Sequence, residues 1–521
     1  MTATRAVVAA LRREPSLRGV RLTGLTGSLL LVFGSLGAGA LPAYDPVAQI
    51  PLISVLRRGA GPTVALGLTY LGAATLTLAW LYLGRVVRSG PSGAGTAVRD
   101  LLRIGWWWGG PLLVAVPLFS RDLYSYAAQA QITHAGLDPY SVGPLSLPGP
   151  FLDEVEQLWV NTPAPYGPLW LTLGRMVAIV TRDHVVLTVL SMRLIAAGGV
   201  LLTARFLPRL ATACGGDPRL AVWLSLLNPL LLIHFIGGGH NDALMLGLVV
   251  AGLTVAMEVT PGSDRARRRL ALAVVLCTLA VLIKVPAALA VGFLVPIWAA
   301  RIRAERPWLA ATVRVTGLAV LTFVLATLAT GLGIGWMRQL NGAGEVVNFL
   351  SIPTGLAMAF NALRGVTRLV DPGNATIAAF RLGGQAITAV IGIVLWTRSY
   401  RLHPVRALGV ALLVLVMLGP VVQPWYLMWP LTLLAVAPLG QRAVLGLAWM
   451  CAWLVLLVSP QGAALLLNWT PVIVAGLAAA VATGTLLNSP PPPATELDLP
   501  EPAAAVPAAS EPAAAPHPRV G

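Results

Sequence analysis

Apolar residues run along this chain in blocks near 22–41, 62–84, 104–119, 184–204, 219–237, 241–258, 270–283, 286–300, 308–331, 376–397, 407–420, 425–438, 443–459 and 469–487. Blocks of about 18 apolar residues match the helix length that crosses a hydrocarbon core. The pattern predicts an all-α polytopic membrane protein with roughly 13–14 transmembrane helices, several of them too short to span untilted. A further apolar piece, Leu169–Val180, breaks the parity of the crossings if it spans. It is expected to be interfacial or re-entrant, inside a large outer loop over 120–182 that follows the third helix.

Composition supports this reading. The chain is 57% hydrophobic and 11% charged, whereas soluble domains carry about 25% charged residues. Net charge is +16, and Lys284 is the single lysine. The arginines gather in the connections Arg85–Arg103, Asp264–Arg269, Arg301–Arg306 and Arg398–Arg406. Such clusters mark cytoplasmic loops that meet anionic lipids, so membrane lipids and not nucleic acid are the expected partners. Cys214, Cys277 and Cys451 make no disulfide framework and read as packing residues.

Residues 1–21 read as a cytoplasmic N-terminal segment before an uncleaved first helix. Residues 22–487 form the transmembrane domain, and the Pro- and Ala-rich stretch 488–521 reads as a disordered cytoplasmic tail. With the N-terminus inside, the loop after the third helix, the turn Gly237–Asp242 and the stretch Gly331–Thr354 all fall outside. The segment Gln423–Trp429 joins them.

Chemistry concentrates on that face. The loop after the third helix holds Asp122, Asp138, Asp153, Glu154 and Glu156, five of the 20 acidic residues. Asp122 at a helix start, with a proton affinity raised by reduced dielectric, reads as a general base for a sugar hydroxyl. The plainer reading pairs it with Arg121 or makes it a helix cap. Tyr124, Tyr126, Tyr140, Trp159, Tyr166 and Trp170 offer aromatic surface nearby, as an interfacial belt would.

In GGGHNDAL, the glycines permit a tight turn at a helix mouth that presents His240, Asn241 and Asp242. Asn241 or Asp242 is expected to cap the following helix. Lys284, before helix-breaking Pro286, reads as a ligand for a lipid-carrier phosphate, the alternative being snorkelling to lipid headgroups. Arg338 and Glu345 carry less information. In QPWYLMW, Gln423, Trp425, Tyr426 and Trp429 sit at a helix mouth, the two tryptophans on one helical face.

These residues resemble a known family. LFSRDLYSYAAQ with DPYSVGP, TPAPYGPLW, GGGHNDAL, LIKVPA and QPWYLMW are similar in order and spacing to the actinobacterial polyprenol-phosphate-mannose-dependent α-1,6-mannosyltransferases, of the C-type glycosyltransferase fold. The resemblance implies a multi-pass plasma-membrane enzyme working on the outer face. It would move mannose from a polyprenyl-phosphate-mannose donor to a lipid-anchored α-1,6-mannan acceptor by inverting displacement. Asp122 would be the base. Lys284, Arg121 and His240 would bind donor phosphate, and Tyr124, Tyr126, Asp138, Tyr140, Tyr166, Asn241, Asp242, Gln423, Trp425 and Tyr426 would bind sugar or acceptor. No obligatory cofactor is expected, since no carboxylate cage or Cys/His cluster is evident, the alternative being a divalent metal held by Asp122 with Asp138 or Asp242. The rival readings are a flippase or transporter for a polyprenyl-linked sugar, with ionisable groups at the midplane, and the same fold with a different donor sugar such as arabinose.

Overall fold

The computed structural model describes residues 16–487 apart from 44, 46, 90–95, 264, 303, 367–370, 372, 400, 458 and 461–468. The tail 488–521, the start of the N-terminal segment, Asp264 and Arg303 lie outside the described residues. The described chain is helical, and no strand occurs among its residues.

The principal helices are α1 (Leu17–Ala38), α2 (Gly61–Ser89), α3 (Val98–Gly109), α4 (Asp122–His134), α5 (Pro168–Thr181), α6 (Val185–Ala213), α7 (Asp242–Met257) and α8 (Ala266–Val281). They continue as α9 (Ala288–Ala299), α10 (Pro307–Thr330), α11 (Ile352–Leu363), α12 (Ala375–Arg398), α13 (Pro404–Leu418), α14 (Met428–Ala435), α15 (Gln441–Leu457) and α16 (Trp469–Leu487). Six of them, α1, α2, α6, α10, α12 and α16, are long and apolar enough to cross a membrane unaided, and a bent pair within 218–237 makes a seventh candidate. That is fewer than the apolar blocks alone predict, because several blocks form helices of 10–17 residues.

Local breaks explain the difference. The third block does not continue as a helix. α3 stops at Gly109, a 3-10 turn follows over Pro111–Val114, and the chain then runs non-helical to Ser120. Pro111 and Pro117 remove two amide donors from this stretch. The block over 219–237 bends by 59° between Pro218–Leu226 and Leu231–Gly237. At the bend Asn228 donates to the Leu224 carbonyl (3.0 Å) and accepts from the Leu230 amide (2.9 Å), so its side chain replaces lost backbone bonds. α1 begins at Leu17, ahead of the apolar block, and the stretch expected to be a connection up to Thr354 already enters α11 at Ile352.

Small residues set the packing where helices touch. Between α1 and α2, a Cβ at Gly27 would lie 2.7 Å from the Leu76 amide nitrogen, and one at Gly72 2.7 Å from that of Leu31. Close backbone approach of this kind is how apolar helices associate in lipid. Trp80 of α2 and Trp223 stack at 5.2 Å, and each indole N–H donates to the other's carbonyl at 2.8 and 2.7 Å.

Arg193, buried in α6, ties these irregular stretches together. Its guanidinium donates to the carbonyls of Leu113 (2.9 Å), Ala115 (2.6 Å) and Gly237 (3.0 Å). It therefore satisfies backbone that a lipid environment would leave unpaired. Each orphaned carbonyl costs about 1–3 kcal/mol. Arg193→Leu is expected to lower the thermal unfolding midpoint in detergent well beyond Arg193→Lys, which keeps a donor; equal midpoints for the two would remove Arg193 from this role.

Candidate active site

Asp122 is the first residue of α4, and the preceding residues decide where it points. Phe119 adopts φ 62°, a left-handed backbone that costs a non-glycine residue on the order of 1–3 kcal/mol, and its amide donates to the Pro460 carbonyl at 2.8 Å. The chain turns there and starts α4. The Asp122 amide donates to Ser120 Oγ at 3.0 Å, leaving the carboxylate free to face inward. The glycine run of GGGHND brings the second element close. Gly239 has φ 63°, and a Cβ on it would lie 2.8 Å from Leu123 of α4. A side chain there would push the Leu123 side chain aside and strain the left-handed backbone, so glycine suits the turn.

The turn sets His240 against Asp122, with Nδ1 3.5 Å from Oδ2. His240 is fully buried and stacks on Trp425 at 4.0 Å. Asp242, also fully buried, accepts from Lys284 Nζ at 2.9 Å on both oxygens and from the Trp429 indole at 2.8 Å. Lys284 lies 4.7 Å from the Tyr426 ring centroid and 5.4 Å from that of Trp429. Trp429 and Tyr426 stack at 4.4 Å. A buried pair this well satisfied is held by several bonds at once, as burial of two charges requires.

A cavity of about 960 Å³ opens onto this centre. Asp122, Arg121, Lys284, Tyr166, Gln423, Trp425 and Tyr426 line it, as seven of the residues picked from the sequence. Asp122 keeps 27% of its side chain exposed, toward that space. Beyond Lys284 the wall becomes apolar, through Leu289, Phe293, Ile393, Trp396 and Leu415.

The other chosen residues sit elsewhere. His240 is not part of the cavity wall, so the expected phosphate contact gives way to a place behind Asp122. Asn241 accepts from the Tyr126 hydroxyl at 3.4 Å, and Tyr124 donates to the Ala40 carbonyl at 2.8 Å; none of these three lines the cavity. Asp138 is exposed and closes its own turn with the Tyr140 amide (3.0 Å), while Tyr140 packs against Gly335. Neither Asp138 nor Tyr140 lines the cavity. Arg121 does, but it is held by Glu154 at 3.2 Å and by the carbonyls of Glu154 and Leu41. It does not pair with Asp122.

Two expectations are corrected, and one alternative reading falls. Asn241 is the N-cap of α7 without a side-chain capping bond, and Asp242 points to Lys284, because the buried ammonium is the stronger partner. Lys284 does not snorkel; it keeps 14% of its side chain exposed and is paired. Burial does push the Asp122 carboxyl up, but contact with His240, the charges of His240 and Lys284 and the Ser120 hydroxyl outweigh it. Its pKa falls below the ordinary carboxylate value. Among the described residues, no cluster of His, Cys, Asp and Glu could hold a metal ion.

Sequence reasoning also missed Glu154 as the partner of Arg121, and the polar residues Ser120, Ser125, Gln129 and Asn348 of the cavity wall. Ser125 and Gln129 carried a signal in their spacing from Asp122, which puts all three on one helix face.

The fold and this cavity define a polytopic membrane protein with an ionised carboxylate and a lysine facing one internal space. Residues 21–300 match the family profile described as alpha-(1->6)-mannopyranosyltransferase, N-terminal domain, and residues 353–488 match the MptB C-terminal domain. Alpha-(1->6)-mannopyranosyltransferase A of Mycobacterium tuberculosis is 35% identical over 475 residues, covering 90% of this chain and 89% of that protein. Alpha-(1->6)-mannopyranosyltransferase B of Corynebacterium glutamicum is 33% identical over 440 residues, 80% of this chain and 72% of that protein. The chain belongs to the alpha-(1->6)-mannopyranosyltransferase family. No solved structure matches it.

The Lys284–Asp242 pair makes a stability prediction. Lys284→Met strands a buried carboxylate and is expected to cost about 3–5 kcal/mol, whereas Lys284→Met with Asp242→Asn removes both charges and recovers much of that loss. Thermal unfolding of the single and double variants measures the difference. A double variant no more stable than Lys284→Met would mean that the pair is not coupled.

Proposed function

We propose that the cavity transfers mannose from a polyprenyl-phosphate-mannose donor to an α-1,6-mannan acceptor, with Asp122 as general base. The observation that carries this reading is the joint facing of ionised Asp122 and Lys284 into one cavity whose wall turns apolar beyond Lys284. A lipid-linked sugar phosphate has these three parts in order: an apolar chain, an anionic phosphate and a polyol. The apolar wall takes the prenyl chain, Lys284 the phosphate, and Asp122 the junction of the two sugars.

The step balances without an added reagent. An acceptor hydroxyl oxygen forms a bond to the anomeric carbon as the bond from that carbon to the phosphate oxygen breaks. The acceptor proton passes to the Asp122 carboxylate, and the electron pair of the broken bond leaves with the lipid phosphate. Attack opposite the leaving group converts a β-linked mannosyl phosphate into an α-mannoside. A carboxylate held at low pKa is a weak base at rest, but the acceptor O–H becomes acidic as its oxygen bonds to carbon. Lys284 stabilises the charge that grows on the phosphate. His240, packed between Asp122 and Trp425, fixes the carboxylate and keeps it ionised.

The membrane orientation has its own support. α7 carries Asp242 at one end, while Glu258 just past its other end is held by Arg209 and Arg269. Its 16 residues separate the two by about 24 Å. An arginine cluster at the far end of the helix favours a cytoplasmic position there and an outer position for the cavity.

Asp122→Asn keeps the shape of the residue and removes the base, so turnover should fall roughly 10²- to 10⁴-fold with donor affinity little changed. Mannose transfer from synthetic polyprenyl-phosphate-mannose to a short α-1,6-mannoside, by purified protein in nanodiscs, is the assay. Normal turnover in the variant would remove Asp122 from the mechanism.

The pH profile tests the same residue. The base works only when ionised, so its activity is lost as pH falls through its native pKa, which is depressed. On the acid side kcat/KM is expected to stay level down to about pH 5. His240→Phe keeps the stack on Trp425 and removes a group that lowers this pKa, and its acid limb should move to higher pH. Coincident limbs for wild type and His240→Phe would contradict this coupling.

A further inference from the structure

Two side chains of the cavity wall have no part in the steps above. Ser125 and Gln129 are each 6% exposed, and Ser125 Oγ and Gln129 Oε1 are buried without a hydrogen-bond partner in the protein. Both line the cavity. Buried polar oxygens are ordinarily satisfied, and one left bare costs free energy that an apolar residue would avoid. With Asp122 they occupy positions i, i+3 and i+7 of α4, so they form one stripe at about one and two helical turns from the carboxylate.

The direction of the stripe says which sugar it meets. α4 and α5 run side by side in the same sense: Tyr126 packs on Trp170, Ala130 faces Gly174, and His134 reaches Asp183 just past α5. The start of α5 is tied to the segment that carries Lys284, with the Gly167 amide donating to the Ile283 carbonyl (3.2 Å) and the Leu169 amide to that of Leu282 (3.1 Å). Moving along α4 from Asp122 to Gln129 therefore leads away from Lys284. Trp159, from the loop before α5, lines the same cavity and supplies an apolar face of the kind a pyranose ring stacks on.

We infer that Ser125 and Gln129 form the subsite for the acceptor hexose, reading its hydroxyls on the side of Asp122 opposite the donor phosphate. The inference rests on the glycosyl-transfer reading and assigns to it the residues that select the acceptor. A hydroxyl and a carboxamide both donate and accept, which suits a polyol and offers nothing to an anion beyond neutral bonds.

Gln129→Leu and Ser125→Ala test it. Each removes a bare buried polar group, so neither should lower thermal stability; a purely structural role for these side chains would make both variants less stable. In the transfer assay, Gln129→Leu should raise the KM for a short α-1,6-mannoside acceptor about ten-fold while leaving the donor KM within two-fold. Direct titration of an α-1,6-linked mannobiose glycoside onto wild type, Asp122→Asn and Gln129→Leu separates the subsite from catalysis. Binding kept by Asp122→Asn and weakened about ten-fold by Gln129→Leu supports the inference, and it would do so even if wild type transferred no mannose and the transfer reading failed. Unchanged mannobioside binding and acceptor KM in Gln129→Leu, with wild type active, overturns the subsite and leaves the transfer reading standing. A donor KM rising in step with the acceptor KM overturns it as well.

Discussion

A carboxylate that must stay ionised away from bulk water constrains everything around it. Burial alone would protonate Asp122, and the site prevents this by setting His240, Lys284 and Ser120 against it. Each helper then needs its own support. His240 is stacked on Trp425, and Lys284 is matched by Asp242, which is held in turn by Trp429. Polar groups of a loop, a helix mouth, a helix break and a fourth segment thus become one unit, and a fold that brings all four together keeps this carboxylate charged.

The backbone near the site is irregular for the same reason. Regular helices present side chains only at their own spacing, whereas this centre needs Asp122, His240 and Lys284 converging from three segments. The chain leaves helical geometry at Ser120, at Gly237–Gly239 and at Lys284, and it does so where protein replaces the missing hydrogen bonds. Arg193 serves the carbonyls before Ser120 and at Gly237, and Asn228 serves the bend upstream of the glycines. Strain at Phe119 is tolerated because the Pro460 carbonyl fixes its amide.

Much of this was legible from the residues. In a chain with 11% charged residues, any polar cluster stands out against the apolar background, and Asp122, His240–Asp242, Lys284 and Gln423–Tyr426 stood out in that way. The helical blocks were equally plain. Pairing was less legible: Asp242 reads as a cap until Lys284 is seen beside it, and Arg121 reads as a phosphate ligand until Glu154 is. Asp138 and Tyr140 were drawn in by chain proximity to Asp122, but the turn they make carries them off the cavity. Arg193 sits in the middle of an apolar block with no partner evident in sequence, since the three carbonyls it serves belong to segments far away along the chain. The direction of the Asp122 shift depended on neighbours that only the tertiary structure supplies.

Charge accounting around the cavity bears on how the proposed donor is held. Arg121 is committed to Glu154 and Lys284 to Asp242, so an incoming phosphate meets cations that are already paired. Lys284 has three N–H donors, and the two Asp242 oxygens engage two at most, so it can bridge to a phosphate without abandoning its partner. During the proposed transfer Asp122 loses its charge as it takes the proton, while the leaving phosphate gains one. The total charge of the site stays constant and only its location changes, from the carboxylate beside His240 toward the ammonium of Lys284. In a low-dielectric cavity such a shift costs far less than creating new charge.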